Sequence, residues 1–406
     1  MSVHYMFLEP VDVLFFRANK GFGDPGSYGE SMALPWPSVA AGAIRSRILA
    51  DSGTDLAAFA RGEAVHPEIG RRDSPGSFQL AGLQLARRKN GAVEPLFPVP
   101  ADLIVEKGGL LLARPTALPE ALRSSYPLPL HPVVAQPKRG KPQGGLWLTM
   151  GGWRKYLDGG APEEGDLLNS KALWETDPRT GIGLSAHTRS VEEGRLFTAE
   201  AVAFRMAIHT SRERDRRLPC DPERPAGRER EGFDAGLLAA VSGCTPPRGG
   251  LVRLGADGRA AAVHPLEELA APEPDWARMV REKKLRLILA TPGLFREGWL
   301  PEGCREQNGE FLFDLHGVRG RLAAAAVARA EAVSGWDLAR EQPKKAQRCA
   351  PAGSVYWLDH VEADEASLRA LAERGLWPEP CTDEFRRAEG FNRIWIAPWA
   401  GENKGV

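Results

Sequence analysis

The residues best suited to chemistry lie close together between two apolar runs. His187, Thr188, Arg189 and Ser190 occupy the middle of the stretch Arg179 to Phe204, RTGIGLSAHTRSVEEGRLFTAEAVAF. Such a set donates hydrogen bonds to phosphate and lies against a base, but it cannot anchor a core. If any histidine serves as a general base in RNA cleavage, His187 is the candidate, with Arg189 near to stabilise charge. The other histidines, His4, His66, His131, His209, His264, His316 and His360, are scattered, with no helical pair or carboxylate spaced to hold a metal. No GxxxxGK[ST], HExxH, GxSxG or CxxC occurs, so no cofactor and no metal are expected. The five cysteines, Cys220, Cys244, Cys304, Cys349 and Cys381, lack zinc-finger spacing and read as reduced structural thiols. GFGDPG, Gly21 to Gly26, matches GxGxxG, yet Pro25, Gly26 and Gly29 keep the chain irregular where a dinucleotide site needs a helix to begin.

The elements that must position the basic set are two strands. Ile182 and Leu184 alternate with small residues on the way out, and Leu196, Phe197, Ala201 and Phe204 line an apolar return, so 179–204 is expected to be a projecting hairpin. The alternative is a solvated surface hairpin with an ordinary Arg and His. Upstream, His4 to Phe16 alternates as a first strand, Arg17 to Leu34 is a loop, and Pro37 starts a helix burying Ala40, Ala43, Ile44 and Ile48. Beside that stripe Ser38, Gly42 and Arg45 lie one turn apart, a small-residue face next to a guanidinium that suits a passing phosphate backbone or close helix packing. Phe78 to Arg88, Leu96 to Glu106, Leu285 to Ala290 and Pro351 to Leu358 read as strands. Gly152 to Leu157, Leu167 to Trp174, Asp275 to Lys283 and Asp364 to Arg374 read as helices. Leu251 to Val263 is a hairpin turning at Asp257 and Gly258.

With 406 residues the chain exceeds the usual size of a single core, so two domains are expected, divided as 1–165 and 166–406. Strands without regular helix alternation indicate an α+β protein of antiparallel sheets. Lys plus Arg and Asp plus Glu both number 53, a net charge of +0 that argues against bulk attraction to nucleic acid and leaves room for a local basic groove. The excursion 127–145 is basic and irregular; the insertion 211–232 interleaves both charge signs and is expected to be mobile. No signal peptide or membrane-length apolar run is found, so a cytoplasmic location is expected.

Nine stretches in order resemble one family, the third subunit of the type III-B CRISPR Cmr effector complex, of the RAMP superfamily. They are LEPVDVLFFR, WPSVAAGAIR, LFPVPADLIV, TGIGL, EEGRLF, LRLILATPGLFREGWLP, SGWDLA, PAGSVYWL and GFNRIW. The resemblance implies two ferredoxin-like, RRM-like domains and a non-catalytic RNA-binding subunit in antiviral defence. Such a subunit holds the 5′ repeat-derived tag of the CRISPR RNA, docks on the large and backbone subunits of the complex, and meets target RNA indirectly. Carried onto this chain, His187, Thr188, Arg189 and Arg195 of the hairpin would touch phosphates or bases. Ser38, Gly42 and Arg45 would lie under the strand, and Gly353, Ser354, Asn392 and Arg393 would line the same groove. The first loop, with Lys20 and Phe22, would touch the large subunit. The rivals are a RAMP endoribonuclease processing CRISPR precursor RNA, which needs a histidine near the first helix where Arg17 to Ile48 has none, and a dinucleotide enzyme built on GFGDPG.

Overall fold

The computed structural model describes residues 2–16, 28–29, 32–106, 109–119, 121–134, 140, 142–206, 232–267, 269, 272–337 and 340–399. Lys20, Phe22, the GFGDPG loop and nearly all of the charged insertion 211–232 lie outside them. The protein is α+β and dominated by two antiparallel sheets. Six helices are described: α1 (Pro37–Asp51), α2 (Leu56–Arg61), α3 (Met150–Leu157), α4 (Trp276–Glu282), α5 (Glu365–Arg374) and α6 (Glu384–Ala388).

The first sheet has eight strands in the order Leu167–Asn169, Leu146–Leu148, Ala92–Pro98, Gln79–Lys89, Asp234–Ser242, Val3–Pro10, Ala260–Leu266 and Leu251–Arg253. Period-two alternation sends Met6 and Leu8 to one face with Leu80, Leu83, Leu237, Ala239, Val241 and Val263, where Ala40, Ile44 and Ile48 of α1 cover them. Pro37 at the first helical position presets the backbone dihedral that starts α1, and its alanines let the helix lie close to the sheet. Tyr5 and Phe7 point to the opposite face, where Phe7 packs with Ala86 and Leu238. Strands on both sides of residue 165 share this sheet, so the expected division at 165 would cut through it. Asp234–Ser242 sits between the strands Val3–Pro10 and Gln79–Lys89, a long-range pairing that local composition does not reveal.

The second sheet runs Cys304–Gln307, Glu310–Leu315, Val318–Ala326, Val355–Glu362, Leu285–Leu289 and Ile394–Ala397. Leu368 and Leu371 of α5 and Met279 of α4 cover one face. Asp364 caps α5 by accepting from the Ser367 amide, which is why the helix begins there. The other face is covered from the first half of the chain: Trp153, Tyr156 and Leu157 of α3 pack with Phe97 on Ile288, Ala324, Val355 and Trp357.

That contact carries a fully buried polar clamp. Arg286 donates to Asp102 Oδ2 at 3.1 Å, to the Pro398 carbonyl at 2.9 Å and to the Tyr156 carbonyl at 2.9 Å, and the Tyr156 hydroxyl donates to Asp102 Oδ1 at 2.8 Å. The guanidinium also lies 4.4 Å from the Tyr156 ring centre. A buried charge needs such complete pairing. A second seam joins Trp36, ahead of α1, with Leu294, Val333, Trp377 and Phe391.

Other expectations are corrected in detail. Leu167 to Trp174 is not a helix but a short strand and a 3-10 turn at Ser170–Ala172. The first strand ends at Pro10, and Leu96 to Glu106 divides into Ala92–Pro98 and Leu103–Glu106, because proline removes a ladder donor at each break. The hairpin at Asp257 and Gly258 forms as expected, with both residues at positive φ, 57° and 66°.

Candidate nucleic-acid interface

The expected hairpin is present and longer than read from sequence: Trp174–Leu184 pairs with Val191–Phe204. Its base is anchored, since Ala201, Val202 and Phe204 are buried and Val202 bridges Leu14. Its distal half leaves the core. Ile182, Leu184, Val191 and Leu196 are exposed, so the apolar return expected of Leu196 and Phe197 holds only near the base. The Phe197 ring lies over Gly181 on the facing strand, where an added Cβ would meet it at 2.5 Å and push the ring aside. At the tip the Ser185 and Ser190 backbones pair, Arg189 takes φ 53°, and the Thr188 and Ser190 hydroxyls bond each other at 2.7 Å. This local bonding shapes the tip and leaves His187 and Arg189 exposed. Arg195 belongs to the return strand, and its side chain lies outside the described residues.

A second basic surface forms where α1 meets a strap from the C-terminal half. In the strap Trp336–Asp337 pairs with Gln342–Pro343. Gly335, at φ 124°, accepts from the Lys344 amide at 2.8 Å. A Cβ on Gly335 would stand 3.8 Å from the Lys344 side chain and 4.0 Å from Ser38 Oγ, so strap and α1 are in contact at Ser38. Gly42, one turn on, is exposed, with no atom within 4 Å of where a Cβ would be. Buried Glu389 pairs with Lys344 and with Arg386 at 3.0 Å. Burial pushes the Arg45 guanidinium below its ordinary pKa, while Glu389 acts the other way. One carboxylate thus faces three cations, and exposed Lys345 and Arg348 add two more on the same strap. Trp336, on the same strap, is 57% exposed. Small residues as a floor, cations on the wall and an open aromatic ring together suit a single strand of nucleic acid.

The structure brings Ser38, Gly42 and Arg45 together as expected, and sequence reasoning missed Trp336, Lys344, Lys345 and Arg348. The SGWDLA motif was the available signal, but its proximity to α1 is a tertiary fact. Ser354 and Asn392 are corrected: both are interior. Ser354 is 1% exposed and donates to the Pro351 carbonyl at 2.7 Å. Asn392 is fully buried, accepts from the Leu294 amide at 2.6 Å and donates to the Leu376 carbonyl at 3.1 Å. Their polar atoms replace backbone partners at chain reversals and cannot reach a ligand. Gly353, at φ 86°, serves a turn against the first half, its carbonyl accepting from the Ala101 amide at 2.8 Å. Arg393 lies apart from the strap, lining a cleft against the first sheet.

Among the described residues no group of three or more His, Cys, Asp or Glu is placed to hold a metal, and no helix is long and apolar enough to cross a membrane.

Comparison with known proteins gives the family. A search of curated proteins finds no match. Two solved structures are similar at 14% identity over 87% of this chain and 86% of the other. They are the cryo-EM structure of the type III-B Cmr-beta bound to cognate target RNA and AMPPnP, state 1, at a TM-score of 0.41, and that of the type III-B Cmr-beta bound to cognate target RNA, at 0.42. The profile of the family described as CRISPR-associated protein (Cas_Cmr3) matches residues 6–399, nearly the whole chain and in agreement with the resemblance carried by the nine stretches. The chain therefore belongs to the Cas_Cmr3 family of CRISPR-associated proteins.

Proposed function

We propose that this chain is the RNA-binding Cmr3-type subunit of a type III-B CRISPR effector complex, and that it holds the 5′ repeat-derived tag of the CRISPR RNA without cleaving it. The tag runs along the surface where α1 meets the strap, past Ser38 and over Gly42, with Lys344, Lys345 and Arg348 on phosphates and a base on Trp336. The hairpin tip, through His187 and Arg189, grips the strand farther along. Its exposed apolar flank and the first loop with Lys20 and Phe22 face the large subunit. The two sheets are read as two ferredoxin-like units, since each contains four strands in the order fourth, first, third, second. Their division falls near 267–272, after the last strand of the first sheet.

The observation that carries this reading is the strap: an exposed indole and a surplus of cations set beside a helix face too small to obstruct a backbone. It also accommodates a zero net charge, because the attraction is local. The test is RNA binding by the chain with its large subunit, comparing tagged RNA with RNA whose tag is scrambled, and running the products on a gel. Tag-dependent binding without cleavage is expected. Cleavage at the repeat, or equal affinity for both RNAs, would overturn the proposal.

A further inference from the structure

The strap that carries Trp336 is rooted in the second half. At its base Glu331–Val333 pairs with Gln347–Cys349, Val333 and Cys349 are buried, and Arg386 Nε donates to the Gln347 side chain at 3.0 Å. Farther out, beyond the tie of Lys344 to Glu389, the strap narrows to a ribbon held by the pairs Trp336 with Pro343 and Asp337 with Gln342. Trp336, Glu341, Gln342 and Pro343 are all exposed. A two-stranded ribbon that short, with no core beneath it, does not hold its own conformation. Something outside the ribbon has to fix it.

Arg340 supplies that tie. Its Nη2 donates to Asp73 Oδ1 at 2.6 Å, across 267 positions of sequence, while its amide donates to Asp337 Oδ1 at 3.1 Å and so keeps it on the ribbon. Asp73 belongs to the first half, at the turn between the strands Gly70–Arg71 and Ser74–Pro75. The turn holds that carboxylate still. Arg72 Nη2 donates to Asp73 Oδ2 at 2.9 Å, its Nε is shared between the two oxygens at 3.2 and 3.3 Å, and its Nη1 donates to the Ala60 carbonyl of α2 at 3.3 Å. The His66 ring accepts from the amides of Glu68 and Ile69 at 3.2 Å each, and Ile69 is buried. Gly70, at φ 85°, packs so closely on the Ser74 carbonyl that no Cβ fits. Arg72 holds the Asp73 carboxyl below its ordinary pKa, with Arg340 adding to that shift, so the group facing the strap is a carboxylate at neutral pH.

We infer that Asp73 is a positioning residue for RNA: through Arg340 it fixes the ribbon so that Trp336 stands ready to receive a base, without touching the strand itself. This rests on the RNA-binding reading of the strap given above. The side chains of the pair are 48% exposed for Arg340 and 53% for Asp73, and exposed pairs add little to global stability. A ribbon without a core has little stability of its own, so the same small contribution decides what share of molecules holds it in place. The sign of the effect is diagnostic. Removing a carboxylate beside a basic surface strengthens attraction to phosphate if charge alone matters, whereas loss of the ribbon's anchor weakens binding.

The experiment compares the unaltered chain with Asp73→Ala, Asp73→Glu, Arg340→Gln and the double variant Asp73→Ala, Arg340→Gln. Hydrogen exchange at Trp336, Asp337 and Gln342 is read on the RNA-free chain, and affinity for tagged RNA is read with the large subunit present. Asp73→Ala is expected to speed that exchange and to weaken RNA about three- to fivefold with an unchanged thermal midpoint, while Asp73→Glu, which keeps the carboxylate, stays close to the unaltered chain. Arg340→Gln should match Asp73→Ala, keep the slope of log affinity against log salt, and leave nothing further for the double variant to lose. It tests the tie from the strap side even if the altered turn fails to fold. Unchanged exchange in Asp73→Ala, or RNA binding that is unchanged or tighter, would overturn the inference and leave the RNA-binding reading intact. Absence of tag-dependent binding by the unaltered complex would instead overturn that reading, and the inference with it.

Discussion

The two halves of the molecule share a strand order and cover their sheets differently. In the first half α1 follows the first strand and covers one face, and the described residues 243–259 before Ala260–Leu266 form no helix. In the second half the reverse holds: α5 precedes the last strand, while no helix joins Leu285–Leu289 to Val318–Ala326. The second sheet is buried on both faces because α3 and Phe97 of the first half lie on it. The first sheet keeps one face partly open, and the 430 Å³ cleft is there. The doubly covered sheet is closed on both faces, whereas the singly covered one carries α1 on one face and borders the cleft with the other.

The largest effect expected from breaking this arrangement is at the clamp between the halves. Asp102→Ala leaves the Arg286 guanidinium buried and unpaired, and should lower unfolding free energy by about 3–5 kcal/mol in urea titration. A combined Asp102→Leu, Arg286→Met variant should recover most of that loss, since no charge is then left buried. A loss that persists in the double variant would show that packing, not charge pairing, dominates the seam.

Next comes a glycine of the second half that lies against the first. Gly390 has φ 87°, and a Cβ there would stand 2.6 Å from the Leu80 carbonyl oxygen. Gly390→Ala should cost on the order of 1–3 kcal/mol, whereas Gly42→Ala, in open space on α1, should not destabilise. The same Gly42→Ala change should weaken RNA binding if a backbone passes over that face, which separates the functional from the packing reason for the glycine.

Smaller effects are expected at the strap. Lys345→Ala and Arg348→Ala should each weaken RNA binding and reduce the slope of log affinity against log salt by about 0.7, the value per phosphate on a single strand. Smallest in stability is the hairpin tip. The double variant His187→Ala, Arg189→Ala should change unfolding free energy by less than about 0.5 kcal/mol while lowering affinity for tagged RNA. Unchanged affinity in the folded double variant would remove the tip from the interface.

Much of this was legible in the chain. Period-two alternation located the strand at Val3–Pro10, a short apolar run ending at Thr291 and Pro292 that at Leu285–Leu289, and a glycine turn that at Val355–Glu362, while proline followed by small apolar residues located α1. The turn at Asp257 and Gly258 and the projecting hairpin followed from local residue types, because glycine and alternation act over a few residues. The family followed from nine short stretches, each weak alone and consistent in order.

Tertiary structure decided the rest. Alternation states which face a side chain takes but not what will cover it, so Ser354 and Asn392, polar in sequence, became interior residues satisfying backbone groups. Gly335 reaches Ser38 across nearly 300 residues, and no local signal encodes that contact. The place of Asp234–Ser242 between two strands of the first hundred residues was equally hidden, because that pairing is long-range. The sequence determines the elements through short-range periodicity and turn chemistry; which cations, rings and small residues share a surface depends on long-range pairing.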